Sequence, residues 1–391
     1  MFAAGRIRAL VVGCGIIGKH HGVVLTRHPD FEVTALVDVD PAAAQAAAEG
    51  IVTEGGPRPV THPSIGAALD SGTVDLVSLC TPSGLHVAQA EEVLGHGQDV
   101  HLVIEKPLDV SVERGQRFAQ LAAAATERGL LVSVISQHRF DPANAAIRQA
   151  IVEQRFGRVT SAMASMAWYR SQSYYDQGDW RGTWALDGGG AVMNQGVHTV
   201  DLLRWFLGRP VEIYAHTAQL AHERIEIEDT ATATVRFESG ALAVIHATTA
   251  AFPGLTTRIQ VHGSAGSAIV NGDQLEYFFS ATDAERFGTH GFSAHAGAVI
   301  ENQADEVVPA EHLTTSPKPP DNFIQGHARQ YDDIADAIRS SRPPGVTVDE
   351  ALLSLTLVRS LYLSATLGQP VLFDEVLGGK YDDVSTELVQ A

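Results

Sequence analysis

Short β-branched apolar runs alternate with alanine-rich amphipathic stretches from residue 7 to about 134, which predicts βαβ units feeding a parallel sheet. The runs are 7–12, 33–37, 74–79, 100–104 and 130–135, with helices expected at 41–49, 84–94 and 112–128. Such strands are continuously apolar, as in a doubly wound sheet covered on both faces. Beyond about Phe140 the pattern changes. After a helix at 142–154, period-two alternation at 158–168, 211–219, 230–237, 241–249, 256–262 and 265–270 predicts a large, mostly antiparallel sheet. Glu238-Ser239-Gly240 and Gly263-Ser264-Ala265-Gly266 supply turn signals within it. One long helix, from about Gly190 to Leu207 and ended by Gly208 and Pro210, interrupts the strands. The stretch 315–322, with Pro317, Pro319 and Pro320, reads as an exposed loop, and helices at 322–340 and 348–368 are expected to pack on a domain surface.

The length of 391 residues suits two domains. The change of pattern divides them into an α/β domain over 1–139 and an α+β domain over 140–391 for substrate binding and oligomerisation. A formal net charge of −19 repels phosphate backbones and anionic membrane surfaces, which argues against nucleic-acid and membrane partners. A small anion can still be held locally by arginines. Cys14 and Cys80 belong to no Cys-x-x-Cys or Cys/His pattern, so they are expected to be packed thiols, and no metal site is expected. The first residues lack a secretory core and no apolar run spans a bilayer, so a cytoplasmic location is expected.

Gly13-Cys14-Gly15-Ile16-Ile17-Gly18 follows the first strand and opens a helix, in the strand–turn–helix setting of a Rossmann dinucleotide site. Gly13 permits the tight turn, Gly15 lets backbone approach a pyrophosphate, and Gly18 lets helix and strand pack closely. Twenty residues past Gly18, Asp38 stands at the end of the second strand. A carboxylate there accepts from ribose hydroxyls and repels the extra phosphate of NADP, so NAD is the expected cofactor and NADP the less favoured one.

Two further constellations carry chemistry. Lys106, in Glu105-Lys106-Pro107, follows the run 100–104, and open α/β sheets place ligands at the carboxyl ends of their strands. A lysine there can hold a substrate hydroxyl and favour its alkoxide character, although an exposed loop lysine is the alternative. In the expected helix, Asn194, His198 and Asp201 fall at i, i+4 and i+7, one polar face in an otherwise apolar segment. His198 suits a base near neutral pH.

With these residues the chain resembles the glucose-fructose oxidoreductase / inositol dehydrogenase / rhizopine-catabolism (GFO/IDH/MocA) family. The resemblance rests on the glycine motif, Cys80-Thr81-Pro82-Ser83-Gly84-Leu85-His86, Glu105-Lys106-Pro107, the block from Gly188 to Asp201, and the C-terminal helices. It implies that Lys106 orients the substrate, that His198 is the general base, and that Asn194, where many members have Asp, orients substrate. It also implies that Thr81, Pro82, Ser83, His86, Glu105 and Arg181 lie on the cofactor side. Trp168-Tyr169-Arg170 and the stretch from Tyr174 to Trp184 resemble the branch that oxidises nucleotide-linked aminosugar uronates. Trp168 and Arg170 are therefore candidate substrate contacts, with a packed aromatic cluster as the alternative.

The activity implied is NAD-dependent hydride transfer at a sugar, polyol or sugar-derivative hydroxyl. Two other classes stay open: a redox-neutral NAD-dependent glycosidase or lyase, and a sugar or dinucleotide sensor, for which Lys106 and His198 together would be superfluous. An antiparallel sheet with an uncovered face, together with the resemblance, implies a homodimer or homotetramer.

Overall fold

The computed structural model describes residues 5–281, 301–318 and 321–386, so Pro319 and Pro320 lie outside the described residues. The chain forms two compact units, Met1–Gln137 with Trp184–Gly188 and Phe323–Leu355, and His138–Thr183 with Gly189–Asn322 and Thr356–Ala391.

In the first unit, β1 (Ile7–Val12), β2 (Phe31–Val37), β3 (Val60–His62), β4 (Leu76–Leu79), β5 (His101–Ile104) and β6 (Val132–Val134) form a six-stranded sheet in the order β3-β2-β1-β4-β5-β6. All its pairings are parallel. Only β3 was not expected, because Val60-Thr61-His62 has no apolar run and Val60 is exposed at the sheet edge. Three of the unit's helices start at a side-chain cap. Asp40, with Pro41 behind it, accepts from the Ala42 N–H, and Ser64 and Ser111 cap the helices Ile65–Asp70 and Val112–Glu127 by accepting from the Ala67 and Arg114 N–H groups. From the helix Asn322–Ser340, Tyr331, Ile334 and Ala335 join the core of Phe31, Leu36 and Val103. Its buried Gln330 extends the sheet's bonding: Nε2 donates to the Val134 carbonyl and Oε1 accepts from the Ser136 N–H, both at 2.9 Å.

The second unit holds β7 (Val159–Ala167), β8 (Pro210–Ala218), β9 (Thr230–Phe237), β10 (Leu242–Thr248), β11 (Arg258–Gly263), β12 (Gly266–Asn271), β13 (Gln274–Ser280) and β14 (Val371–Leu372). They form an eight-stranded sheet ordered β13-β12-β11-β7-β10-β9-β8-β14, antiparallel except between β7 and β10. In β9 the buried Ala231, Ala233, Val235 and Phe237 alternate with exposed Thr232, Thr234 and Arg236, as a sheet with one covered face requires. β13 and β14 were not expected, the first because Tyr277-Phe278-Phe279 breaks the alternation and the second because it has two residues.

One expectation needs correction. The single helix from Gly190 to Leu207 is a π-helical turn, Ala191–Gly196, continued by an α-helix, Val197–Leu207. The i, i+4, i+7 arithmetic assumed α geometry throughout and does not hold across the turn. Asp201 is buried, not part of a shared polar face. Among the described residues, no helix is long and apolar enough to cross a membrane.

Candidate active site

The three glycines of the first loop have three different reasons to be glycine. Gly13 has φ +87°, and a Cβ there would lie 2.7 Å from the Cys80 carbonyl oxygen. A Cβ at Gly18 would lie 1.7 Å from the Gly13 carbonyl oxygen, so helix and strand can meet only without one. At Gly15 a Cβ would meet nothing within 4 Å. The packing of the protein makes no use of that bare position, and it opens the helix Ile16–Arg27. Ile16 is 78 % exposed beside it, whereas Ile17 packs against the core. Asp38 accepts from the Cys14 N–H at 2.6 Å and the Asp40 N–H at 2.8 Å, tying the glycine loop to the end of β2. An open, N–H-bearing helix start beside a carboxylate fits the pyrophosphate and ribose of a dinucleotide. Cys14 and Cys80 are free and buried, and burial pushes the Cys14 thiol up to about 12 and raises that of Cys80, which disfavours the thiolate at both.

The loop after β4 is held from within. Thr81 Oγ1 bonds the Gln89 side chain at 2.5 Å, Pro82 precedes a short 3₁₀ turn, Ser83–Leu85, and the Gly84 N–H donates to the Leu186 carbonyl. His86 is buried, its Nδ1 2.7 Å from the Pro107 carbonyl and its Nε2 2.8 Å from that of Thr81, so the ring sits between two loops and its neutral form donates to one carbonyl at a time. Glu105 also faces inward. His21 Nε2 lies 2.8 Å and His327 Nε2 3.6 Å from its Oε1, and its Oε2 accepts from the Lys106 N–H at 2.9 Å. Burial pushes this carboxyl up, but the His21 bond, with His327 adding to it, holds it well below the carboxylate range. The network continues from His21 Nδ1 to the Tyr331 hydroxyl at 2.8 Å, and from His327 Nδ1 to His20 Nε2 at 3.2 Å. No sequence motif announced it, since its members are scattered single residues. It fixes the backbone at Lys106. Burial pulls the Lys106 ammonium below the usual lysine range, against the charges of Glu105 and Asp187.

In the second unit, Gly189 and Gly190 make way for the start of the π-helical turn. A Cβ at Gly189, where φ is +150°, would lie 2.2 Å from the Tyr362 hydroxyl, and one at Gly190 would lie 1.7 Å from the Glu228 carbonyl oxygen. Into this space comes the Glu228 side chain, which accepts from the N–H of Gly190 at 2.8 Å and of Val192 at 2.9 Å. The Tyr362 hydroxyl donates to Glu228 and accepts from the Met193 N–H. Burial raises the Glu228 carboxyl to about 7, in spite of those donors. From Asp187 through Arg204 every residue is buried except Asn194 and His198. Asp201, in contrast, is locked in a buried two-pronged ion pair with Arg139, at 2.6 and 2.7 Å. The His138 ring meets His198 edge-on at 4.9 Å, with its Nδ1 2.7 Å from Asp141. Burial lowers the proton affinity of His138, but Asp141 and Asp273 overrule it, so the imidazole lies above its ordinary range.

The aromatic segment collects around Tyr174. The Arg170 guanidinium lies 5.2 Å from both the Trp168 and Tyr174 rings, and that of Arg181 lies 4.6 Å from Tyr174 and 5.1 Å from Trp180. Gln195, the neighbour of Asn194, donates to the Tyr174 hydroxyl at 3.2 Å.

Residues 7–135 match the model described as "Oxidoreductase family, NAD-binding Rossmann fold", and residues 144–269 match the GFO/IDH/MocA C-terminal domain. The chain is 28% identical to the putative UDP-kanosamine synthase oxidoreductase subunit of Amycolatopsis mediterranei, across 92% of this chain and 96% of that protein. It is 31% identical to inositol 2-dehydrogenase of Rhizobium meliloti, across 67% and 74%. The WlbA dehydrogenase of Bordetella pertussis, crystallised with NADH and UDP-GlcNAcA, is similar at a TM-score of 0.78 and 31% identity, across 95% of this chain and 99% of that one.

Proposed function

Because the chain belongs to the GFO/IDH/MocA family of oxidoreductases, with an NAD-binding Rossmann domain, we propose that it transfers hydride between the hydroxyl-bearing carbon of a sugar, polyol or sugar derivative and nicotinamide. The observation that carries this reading is the pair Asn194 and His198, the two accessible residues in a buried segment. The relatives that act on inositol or were crystallised with a nucleotide sugar support the substrate class. The dinucleotide, when bound, accepts or returns the hydride. His198 takes the hydroxyl proton as general base, Lys106 donates to the hydroxyl oxygen and favours its developing negative charge, and Asn194 orients the substrate.

Asp38 makes NAD the preferred cofactor: each of its oxygens accepts one backbone N–H and keeps a lone pair for a ribose hydroxyl, and its charge opposes a 2′-phosphate. Two buried free thiols suit a reducing compartment, in keeping with a cytoplasmic enzyme. The exposed Tyr214, Met163 and Val244 stand in one cross-strand row of the second sheet, joined through Thr234, with Leu242 nearby, and a second copy of the chain is the occupant we assign to that face. A monomer in sedimentation at micromolar concentration would overturn that assignment.

The test of the activity follows absorbance at the reduced-nicotinamide band with NAD and a panel of inositols, sugars, uronates and nucleotide sugars. At least one should give NADH. His198→Ala should lose most of that turnover yet bind NADH as before, and oxidation by the parent should fall as the pH drops through the histidine range. Hydride transfer by His198→Ala at the parental rate across pH would remove His198 as the base.

A further inference from the structure

We infer that His138 sets the charge state and orientation of His198: its ring, held between Asp141 and Asp273, keeps the neighbouring imidazole neutral and in place to receive the hydroxyl proton. The inference rests on the reading of His198 as the base and adds a positioning residue to it.

The two rings come from elements that are bolted to each other. His138 lies in a short 3₁₀ turn, Gln137–Phe140, and His198 in the helix Val197–Leu207. Arg139 and Asp201, drawn from the same turn and the same helix, form the buried two-pronged ion pair, which ties these elements together and cancels its own charge. Asn144 Nδ2 also holds the turn, donating to the His138 carbonyl at 2.9 Å. The rings are thereby set 4.9 Å apart and nearly perpendicular, at 86°. Two imidazolium ions at that distance repel, so the pair holds one proton far more readily than two.

The surroundings decide which ring takes it. His138 Nδ1 lies 2.7 Å from a carboxylate oxygen of Asp141 and 3.4 Å from one of Asp273, in the turn between β12 and β13. Asp273 is itself held by Lys318 at 2.6 Å and by the Asn322 side chain at 3.3 Å. Burial opposes a proton on His138, but the bond to Asp141 and the charge of Asp273 outweigh it and the lesser opposition of Lys318, so the ring lies above the ordinary histidine range. With His138 protonated, two cations face two carboxylates. With His138 neutral, the cluster would keep an unbalanced negative charge beside His198. A pair of like groups pushed apart in this way divides its roles. His138 keeps the proton, and His198 stays an acceptor at neutral pH. Once His198 has taken the hydroxyl proton both rings are charged, and the same repulsion drives that proton on.

The test reads the rings directly by magnetic resonance, in the full chain labelled with nitrogen-15 histidine and loaded with NADH. His198 is assigned by its absence in His198→Ala, and His138 by its absence in His138→Asn. At about pH 6.5, where a free histidine is half protonated, His138 should be mostly doubly protonated and His198 mostly neutral. His138→Asn keeps an N–H directed at Asp141 and removes the charge, so the His198 midpoint should rise by about half a unit to two units, according to the polarity between the rings. His138→Lys restores a cation and should bring the midpoint part of the way back. The acid limb of sugar oxidation should follow, moving to higher pH in His138→Asn and back in His138→Lys. A merely structural role would lower the unfolding midpoint of both variants and move neither limb. A neutral His138 in the parent at that pH, a result that needs no variant, would overturn the inference, as would an unmoved His198 midpoint in folded His138→Asn. The two readings fail separately. Parental turnover in His198→Ala removes the base and this inference with it, whereas an inactive His198→Ala with an unmoved acid limb in His138→Asn removes only the role of His138.

Discussion

The glycine loop of the first unit and the glycine run of the second both prepare the start of a helix, and they treat its backbone N–H groups in opposite ways. Around Gly15 the helix start is bare and bordered by exposed Ile16. At Gly190 the chain supplies its own carboxylate, Glu228, which takes the N–H groups of Gly190 and Val192, while Tyr362 takes that of Met193. An unfilled helix start is a place for a ligand's negative charge. A filled one is a rigid mount, and the two half-buried side chains that follow it are Asn194, within the π-helical turn, and His198, in the helix that continues it. The missing side chain therefore leaves open space at one helix start and admits the chain's own cap at the other.

The largest effect should come from breaking the mount itself. Gly190→Ala would place a Cβ 1.7 Å from the Glu228 carbonyl oxygen, a backbone atom that cannot swing aside. Expected is a loss beyond about 4 kcal/mol, enough to leave little folded protein. Gly18→Ala, with the same 1.7 Å clash against the Gly13 carbonyl, should be comparable. A urea midpoint at the parental value for Gly190→Ala would show that the turn can open, and the contrast between the two units would be lost.

The same contrast explains how much could be read in advance. The first loop is local: Gly13, Gly15, Gly18 and Asp38 lie within 26 residues, and their spacing alone forecasts the strand–turn–helix that is found. The position of Lys106 is legible in the same way, since an apolar run forecasts the strand His101–Ile104 that it follows. The helix start at Gly190 depends on partners 36 to 169 residues away, so the π-helical turn has no local signal and its sequence reads as plain α-helix. His21, His327 and Tyr331 escaped for the same reason, being single residues joined to Glu105 only by the fold. Asp201 misled because sequence periodicity can place it on a face but cannot reveal that Arg139 holds it. Alternation forecast six of the eight strands in the second sheet, since it is a property of each strand alone.

A smaller effect, with a diagnostic pH dependence, is expected from the cap. The Glu228 carboxyl has its folded value raised from 4.5 to about 7. A raised acid means that the folded state binds more protons than the unfolded one in that interval. Its contribution is thus fully present below pH 4.5 and is lost as the pH climbs to about 7. The shift corresponds to a decline on the order of 3 kcal/mol. Glu228→Gln should abolish this part of the slope. It should also lower stability in acid, because the amide turns an N–H donor toward a backbone N–H in place of an acceptor. Urea unfolding from pH 4 to 8 checks both. An unchanged slope in Glu228→Gln would mean that the carboxylate stays ionised in the cap and that its donors outweigh burial.

The smallest effect on stability and the sharpest on binding should come from Gly15→Ala. The residue has φ −68° and ψ −159°, which alanine adopts without strain, and the added Cβ meets no protein atom within 4 Å. Replacing glycine also narrows the unfolded ensemble, so stability without cofactor should stay the same or rise by about 0.4–1 kcal/mol. NADH is different, because its pyrophosphate has to approach the backbone where the new methyl group stands. Thermal unfolding of parent and variant, each with and without NADH, reads both effects at once: equal midpoints without the dinucleotide and a much reduced rise with it. Gly13→Ala serves as the control, since φ +87° and a contact at 2.7 Å to Cys80 should lower the midpoint under both conditions. If Gly15→Ala instead unfolds early without NADH, the bare position serves the fold after all. If it keeps the full NADH-induced rise, the dinucleotide does not approach the chain at Gly15, and the open helix start loses its assigned ligand.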